Sequence, residues 1–366
     1  MVISDTNIGG AGKWILEFFR HTDKTRFLVK AVIPTNSKLK ELYAQAGMSV
    51  VECEGIADQS FHKNGVKNLY HIFQKEKPDL VHAHGTMSAR VAAKLPFSGV
   101  KKVIYTRHSV FEPQGFFTTP VGKCVNRVLT AATADRIIAV CEAAKKNLTD
   151  TGVNPKKITV CYNGVKAIPA PTPKQRELAR NQFGIKENEI AFSISARLNP
   201  VKGHKYLIEA VRQMKTTEQV KFFIAGTGQE EESLKALVTE YGLEDTIIFT
   251  GFLSDVSKLL YATDVLLNCS YGTEACSLAI LEAFSLGIPC IATDYGGNPE
   301  LVKDGVNGIV YPTNDVASLT KALERIQKTP DLIATYGIGA KTTYEEGFTV
   351  EIMTKNIEKV YEETAL

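Results

Sequence analysis

The sequence predicts an α/β protein made of two doubly wound, parallel-sheet domains. Three observations carry this. Short β-branched apolar runs alternate with amphipathic helical stretches along the whole chain, the signature of parallel strands covered on both faces. One segment, residues 165–184, breaks the alternation with Pro169, Pro171 and Pro173 close together. The length of 366 residues suits two domains of about 100–200 residues each.

In the first half, a very short first strand in MVISD is followed by strands expected over residues 26–34, 48–53, 79–84, 101–108, 134–140 and 157–164. Helices are expected between them over residues 38–47, 67–77, 88–95, 121–133 and 142–152. The first strand is cut short, as a start assigned late would leave it. The proline segment reads as an interdomain linker. Beyond it, strands are expected over residues 190–196, 220–226, 246–252, 264–269, 289–294 and 307–312. The intervening helices are 204–215, 230–242, 254–262, 277–287 and 315–328, the first with Leu207, Ala210, Val211 and Met214 on one stripe. Residues 350–366 form an amphipathic helix with nothing after it to pack against, expected to cross back onto the first domain. The domains are therefore 1–165 and 166–349, and ligands of such pairs bind in the cleft at the carboxyl ends of the strands.

Composition excludes several classes. At 44% hydrophobic and 23% charged residues, the chain is neither disordered nor fibrous. No apolar run approaches the roughly 18–20 residues of a membrane-spanning helix. The start, MVISDTNIGGAGKW, lacks a basic stretch followed by an apolar one, so no secretory signal is expected. Seven cysteines stand singly, at 53, 124, 141, 161, 269, 276 and 290, which fits neither a disulfide framework nor zinc spacing and suits a reducing cytoplasm. The net charge of +3 hides an asymmetry: residues 1–165 carry 23 Lys and Arg against 13 Asp and Glu, and the remainder 20 against 27. A basic first half suits an anionic partner, with nucleic acid and an anionic membrane face both candidates, although solubilising charge explains the asymmetry equally.

NIGGAGKW is not a phosphate-binding P-loop, because Asn7 holds the required first glycine position and Trp14 replaces Ser or Thr. What remains is a Gly9-Gly10 turn opening a helix, which a phosphate or sugar can approach closely and which a plain tight turn explains as well. IAGTGQEEESL places Gly226 and Gly228 between a strand and a helix, a nucleotide turn without its third glycine, or a structural turn. In SARLNPVKG, Arg197 follows a strand and Lys202 lies five residues on, a pair of cations suited to a diphosphate. Glu274 and Glu282 flank the start of a helix that begins near Ser277, whose free N–H groups suit an anion. Glu282 lies in a helix apolar nearly all round, so it needs a partner. The histidines at 21, 62, 71, 82, 84 and 204 show no zinc spacing.

Gly9-Gly10, His108 in YTRHSV, ADRIIAVCEAAK, CYNGV, SARLNPVKG, AGTGQEEESL, the E-x7-E pair and GGNPELVKDGVNGIVYP occur in that order. In this the chain resembles the retaining glycosyltransferases of family 4, over nearly its whole length. The resemblance implies the GT-B fold, two Rossmann-like domains facing a central cleft, and a sugar nucleotide as donor, UDP-linked. It implies that Arg197 and Lys202 bind the donor diphosphate and that Glu282 holds the ribose. Glu274, with the backbone of Ala275, Cys276, Ser277 and Leu278, would contact the donor sugar and phosphate. Gly9 and Gly10 would lie against the phosphate from the opposite domain, with Gly226 and Gly228 also on the donor and His108 near the anomeric carbon. No metal and no other cofactor is expected, because cationic side chains and a helix dipole supply the charge.

The chain departs from the family pattern at two motifs. The usual E-G-x-P reads Glu274-Ala275-Cys276-Ser277, which leaves the donor sugar open, and Cys141 stands where chains of this type often carry Ser. The expected acceptor is a glycan or lipid-linked intermediate of cell-surface polysaccharide, and no nucleic acid is expected. Lys101, Lys102, Arg107, Lys123 and Arg127 flank Phe116-Phe117, a set suited to peripheral contact with the inner face of the cell membrane or to buried aromatics beneath a solvated helix. The alternatives are a catalytically silent nucleotide-sugar-binding partner and a GT-B sugar epimerase.

Overall fold

In the computed structural model, which describes residues 1–111 and 115–365, the strands form two separate parallel sheets. The chain divides into two units, Met1–Gly164 with Val350–Leu366, and Val165–Thr349.

The first unit holds β1 (Val2–Ile3), β2 (Lys30–Pro34), β3 (Ser49–Cys53), β4 (Leu80–His84), β5 (Lys102–Arg107), β6 (Arg136–Ala139) and β7 (Ile158–Val160). Their order is β3-β2-β1-β4-β5-β6-β7. Although β1 has only two residues, it is central, with Val2 opposite both Val32 and Ala83. The second unit holds β8 (Ile190–Ser195), β9 (Val220–Ala225), β10 (Ile247–Gly251), β11 (Val265–Asn268), β12 (Cys290–Thr293) and β13 (Gly308–Tyr311), in the order β10-β9-β8-β11-β12-β13. Each order reverses beside its first strand, between β1 and β4 and between β8 and β11. In doubly wound sheets this switch point opens a crevice beyond the strand carboxyl ends.

Apolar faces drive both layers together. In the second unit, Phe192 and Phe222 stack at 4.9 Å, and Leu207, Ala210, Val211 and Met214 are buried as their stripe requires. In the first, Trp14, Phe18 and Phe19 of the helix Gly10–His21 are buried in one cluster with Ile33, Ile104 and Ile138 of the sheet. The C-terminal helix Val350–Ala365 joins that cluster through Val350, Met353, Ile357, Val360 and Tyr361. Tyr361 packs edge-on against Phe18 at 5.6 Å, and its hydroxyl meets His82 Nδ1 at 2.6 Å. Leu366, the last residue of the expected helix, lies outside the described residues.

Two segments differ from expectation. The proline-containing stretch is only partly a linker: Pro173–Gln182 is a helix of the second unit, started by a capping box in which Thr172 and Gln175 bond reciprocally. Its apolar stripe is thin, with Leu178 exposed, and it is anchored instead by Arg176 and Arg180, which both bind Asp264 at 2.5 and 3.0 Å. A second unforeseen helix, Asp331–Gly347, contains Gly337 and Gly339. A Cβ at these positions would lie 2.5 Å from the Gly287 carbonyl oxygen and 2.2 Å from that of Val306, respectively. Residues that argue against a helix in the sequence are here needed for close packing.

Both units bury neutral histidines. Burial holds His82 and His84 well below the usual imidazole range. Burial, then the Lys202 charge, brings His204 down to about 4. An unfolded histidine titrates near pH 6.5. Below that value the unfolded chain binds protons that the folded chain refuses, so stability falls as pH drops from about 6.5 toward 4. For His204 alone, at 1.36 kcal/mol per pKa unit, the loss at pH 5 is about 2 kcal/mol. The melting temperature is therefore expected to be lower at pH 5 than at pH 7, and an unchanged or higher value at pH 5 contradicts this.

Candidate active site

At the switch point of the second unit, β8 ends in the loop that carries Arg197 and Lys202, and β11 ends in the loop that carries Glu274. Arg197 is exposed, and its guanidinium makes no hydrogen bond or ion pair with a described residue. Lys202 ends a short turn, Pro200–Lys202, followed by Gly203 at φ 71°, where a Cβ would lie 2.1 Å from the Cys269 carbonyl oxygen. Glycine at this position lets the two loops touch. Gly226 and Gly228 play the same part on the other side: a Cβ would lie 2.0 Å from the Ala196 carbonyl oxygen and 2.2 Å from that of Leu198. Their smallness is thus accounted for by backbone packing that shapes the Arg197 loop.

Lys202 Nζ donates to Glu274 Oε2 at 2.7 Å. The same carboxylate oxygen accepts from Ser270 Oγ at 2.8 Å and Asn268 Nδ2 at 3.4 Å. Glu274 is 8% exposed. Burial alone would raise its pKa, but the Lys202 ammonium and these hydrogen bonds outweigh it and hold the carboxyl below its ordinary value, so it is ionised at neutral pH. The network extends inward, with Asn298 Nδ2 reaching Asn268 Oδ1 at 3.4 Å and Thr293 Oγ1 at 3.1 Å. Asn268, Ser270, Thr293 and Asn298 were not singled out in the sequence. Their signal is a polar residue at the carboxyl end of an apolar strand, as in LLNCS, and the asparagine of GGNPE.

The backbone around Glu274 is constrained. Thr273 before it adopts φ 60°, a left-handed conformation that a β-branched residue rarely takes. Gly296 lies where a Cβ would be 2.1 Å from the Glu274 carbonyl oxygen. Ala275, Cys276 and Ser277 are buried and lead into the helix Leu278–Ser285, in which Ser277 occupies the cap position without a capping side-chain bond. The first N–H groups of this helix therefore open at the same strand mouth. Glu282 lies in it, half-buried between the buried Leu281 and Ala283. The second unit thus brings Lys202, Glu274 and, through Asn268, the Ser277 helix start together, with Arg197 on the same loop as Lys202.

Gly9, Gly10 and His108 belong to the first unit, also at strand carboxyl ends. Gly9 precedes the helix Gly10–His21 with φ −111°, a conformation open to any residue, so backbone geometry does not call for glycine there. His108 follows β5, half-buried, with burial lowering its pKa to about 4. Its Nε2 lies 2.8 Å from Nδ1 of His84, at the end of β4. Between two neutral imidazoles one nitrogen donates and one accepts. His84 Nε2 is buried without a partner. A buried orphan N–H is rarer than a buried orphan lone pair. This assigns the His84 proton to Nδ1, donating to His108, and leaves the His108 proton on its own Nδ1. Trp14 packs against the His84 and His108 rings at 5.0 and 5.8 Å. Cys141 starts the helix Glu142–Asp150, its Sγ accepting from Ala144 N at 3.3 Å in the place where a serine hydroxyl would cap.

The basic set near Phe116-Phe117 is dispersed. Lys101 and Lys102 lie at the opposite end of β5 from Arg107, and Lys101 pairs with Asp79 at 2.6 Å. Arg107 is engaged with Ser109 O and Asn147 and lies over the Phe111 ring. Lys123 and Arg127 lie on the helix Pro120–Thr133 that follows the phenylalanines, and Arg127 Nε donates to Gly152 O at 3.3 Å. Among the described residues there is no group of three or more His, Cys, Asp or Glu that could hold a metal, and no helix long and apolar enough to cross a membrane.

Residues 8–168 match the family described as Glycosyltransferase Family 4, and residues 175–342 match Glycosyl transferases group 1. The UDP-Gal:alpha-D-GlcNAc-diphosphoundecaprenol alpha-1,3-galactosyltransferase of Escherichia coli is 31% identical over 277 residues, 71% of this chain and 69% of that one. The N-acetyl-alpha-D-glucosaminyl L-malate synthase of Bacillus anthracis is 25% identical over 299 residues, 79% of this chain and 76% of that one. Among solved structures, HepE of Anabaena in complex with UDP matches with a TM-score of 0.84 at 23% identity, over 99% of both chains. With these likenesses the two parallel-sheet units are those of the GT-B fold. The chain belongs to the group 1 glycosyltransferases, of the family 4 type, and is a glycosyltransferase.

Proposed function

We propose that the protein moves a hexosyl residue from a UDP-sugar to a hydroxyl of a glycan or lipid-linked acceptor, with retention of anomeric configuration, in the cytoplasmic synthesis of cell-surface polysaccharide. The observation that carries this is the strand-end loops of the second unit, where Lys202 is held by the buried Glu274 carboxylate, Asn268 links Glu274 to the Ser277 helix start, and Arg197, without a side-chain partner among the described residues, lies on the same loop as Lys202. Such a set suits a diphosphate: Arg197 binds it bidentately, Lys202 acts as a point charge, and the N–H groups after Ser277 take an oxygen. The relative acting on UDP-Gal and the HepE complexes with UDP and UDP-glucose support a UDP-linked donor.

The remaining roles follow from chemistry. Glu282, a half-buried carboxylate in an apolar helix, accepts the ribose hydroxyls. Glu274 orients the donor sugar; its Oε2 already accepts from three groups, which suits an orienting carboxylate better than a nucleophile. Gly9 and Gly10 let the helix start in the first unit approach the phosphate, and the proton on His108 Nδ1 makes that neutral ring a donor to a sugar hydroxyl. With no free carboxylate assigned to the anomeric carbon, transfer runs on one face. The bond from the anomeric carbon to the diphosphate breaks, the bond to the acceptor oxygen forms, and the acceptor proton passes to the departing phosphate oxygen. The cationic crevice carries the charge of the leaving diphosphate, so no metal is needed.

Two measurements test this. UDP at 100 times its Kd is expected to add about 2.7 kcal/mol and to raise the melting temperature of the second unit by about 5–10 °C, with GDP, ADP and CMP weaker and the shift lost in Glu282→Ala. No shift with any nucleotide would contradict a sugar-nucleotide site, and with it both the transferase reading and that of a silent nucleotide-sugar-binding partner. By NMR, the product formed from an α-linked UDP-sugar is expected to be α-linked, and a β-linked product rules out one-face transfer.

A further inference from the structure

Two arginines of the first unit carry their charge without a counterion among the described residues. Arg90 lies on the helix Met87–Lys94 and Arg107 ends β5, and both are half-buried. The buried Tyr105 links them. The Arg90 guanidinium lies over its ring at 4.4 Å, and Arg107 Nη1 donates to its hydroxyl at 3.4 Å. Side chains two residues apart on a strand share a face, so Tyr105 and Arg107 stand on the side of β5 that the Arg90 helix covers.

The partners of both guanidiniums are neutral. Arg107 Nε donates to Ser109 O at 3.0 Å and Nη2 to Asn147 Oδ1 at 3.2 Å, and the Phe111 ring lies 4.7 Å from the guanidinium. Among the described residues, Arg90 donates only from Nη2 to Met87 Sδ, a weak acceptor, and its Nε is buried without a partner. Burial, opposed by the Tyr105 phenol and reinforced by the Arg107 charge, draws the Arg90 guanidinium below its ordinary value. The second unit shows the contrast: Arg176 and Arg180 share the Asp264 carboxylate at 2.5 and 3.0 Å. An aromatic face attracts a guanidinium but does not cancel its charge, and a charge removed from water is costly unless it is paired. N–H groups remain on both guanidiniums, in the planar forks that suit a carboxylate or a phosphate.

Place decides what the pair serves. Arg107 is followed by His108, and there the side chains part: His108 meets His84 and Trp14, whereas Arg107 meets Tyr105 and Asn147. The end of β5 thus offers neutral imidazoles on one side and two cations on the other. The donor diphosphate has cations of its own, Arg197 and Lys202, in the second unit. The anion left for the first unit is one that the acceptor brings.

We propose that Arg90 and Arg107, held about the Tyr105 ring, bind an oxyanion of the acceptor, a phosphate or a carboxylate. The acceptor is then a sugar phosphate or an acidic glycan, and a neutral sugar is a poorer substrate. The assignment to an acceptor rests on the transferase reading, whereas the anion site stands on its own. Its test is calorimetric titration of the full chain with glucose, glucuronate and glucose 1-phosphate. At least one of the anionic sugars is expected to bind about tenfold or more tightly than glucose, and the tighter of the two identifies the oxyanion. Arg90→Gln is expected to abolish that preference and Arg90→Lys, which keeps the charge but loses the fork, to weaken it several-fold, with UDP binding unchanged in both. An unchanged melting temperature checks folding, and Arg90→Lys is read where Arg90→Gln does not fold. Arg197→Ala is expected to retain the preference, which separates this site from the donor crevice. Glu112 lies outside the described residues and is tested directly: in Glu112→Gln the preference is expected to persist. Anion binding that emerges only in Glu112→Gln gives the arginines to that carboxylate and overturns the proposal. So does equal binding of the three sugars, or a preference that survives Arg90→Gln or disappears in Arg197→Ala. A wild type that binds no UDP but keeps the preference supports the site and strikes its assignment to an acceptor.

Discussion

The buried ion pair between Lys202 and Glu274 is the constraint on which the second unit's crevice depends. An ionised carboxylate removed from water is costly unless its lone pairs are filled. Here Lys202, Ser270 and Asn268 fill one oxygen from three directions, Asn298 donates to Asn268 and Thr293 from behind, and Thr293 donates to the Ser270 carbonyl. The pair therefore ties the loop after β8 to the loop after β11 across the switch point. Gly203 against Cys269 and Gly296 against Glu274 allow the backbones to come close enough for that bond. Removing either partner would leave a buried charge uncompensated, a loss of about 3–5 kcal/mol in comparable sites. Arg197 stands outside the pair, exposed and without a side-chain partner among the described residues.

The first unit solves a different problem. Along β4 and after β5 it gathers a series of rings, His82, His84 and His108 with Trp14, packed against the C-terminal helix through Tyr361. Burial keeps the imidazoles neutral, and neutrality makes the hydrogen bond between His84 and His108 directional. The strand-end loops of the second, acidic unit thus present two cations, whereas those of the first present neutral imidazoles.

Much of this was legible in the sequence. Parallel strands announced themselves by β-branched runs, and the loops of Arg197, Lys202 and Glu274 by their places after β8 and β11. What stayed hidden has physical reasons. The helix Pro173–Gln182 is held by arginines on Asp264, not by an apolar stripe that periodicity could detect. The helix Asp331–Gly347 contains glycines placed for packing. Asn268, Ser270 and Asn298 resemble any polar residue at a strand end until folding brings them to one carboxylate. The helix Pro120–Thr133 was foreseen, but its periodicity gives the spacing of apolar residues and not the side from which they are covered.

The central claim is that the crevice at the ends of β8 and β11 is a diphosphate site. Calorimetric titration of the wild type and Arg197→Ala with UDP and with uridine tests it most directly, because the two ligands differ by the diphosphate alone. Charge-assisted hydrogen bonds contribute about 1.5–3 kcal/mol each, so UDP should bind the wild type at least about tenfold more tightly than uridine, and Arg197→Ala should lose most of that advantage. Equal preference for UDP in both proteins would contradict the account and place the diphosphate elsewhere.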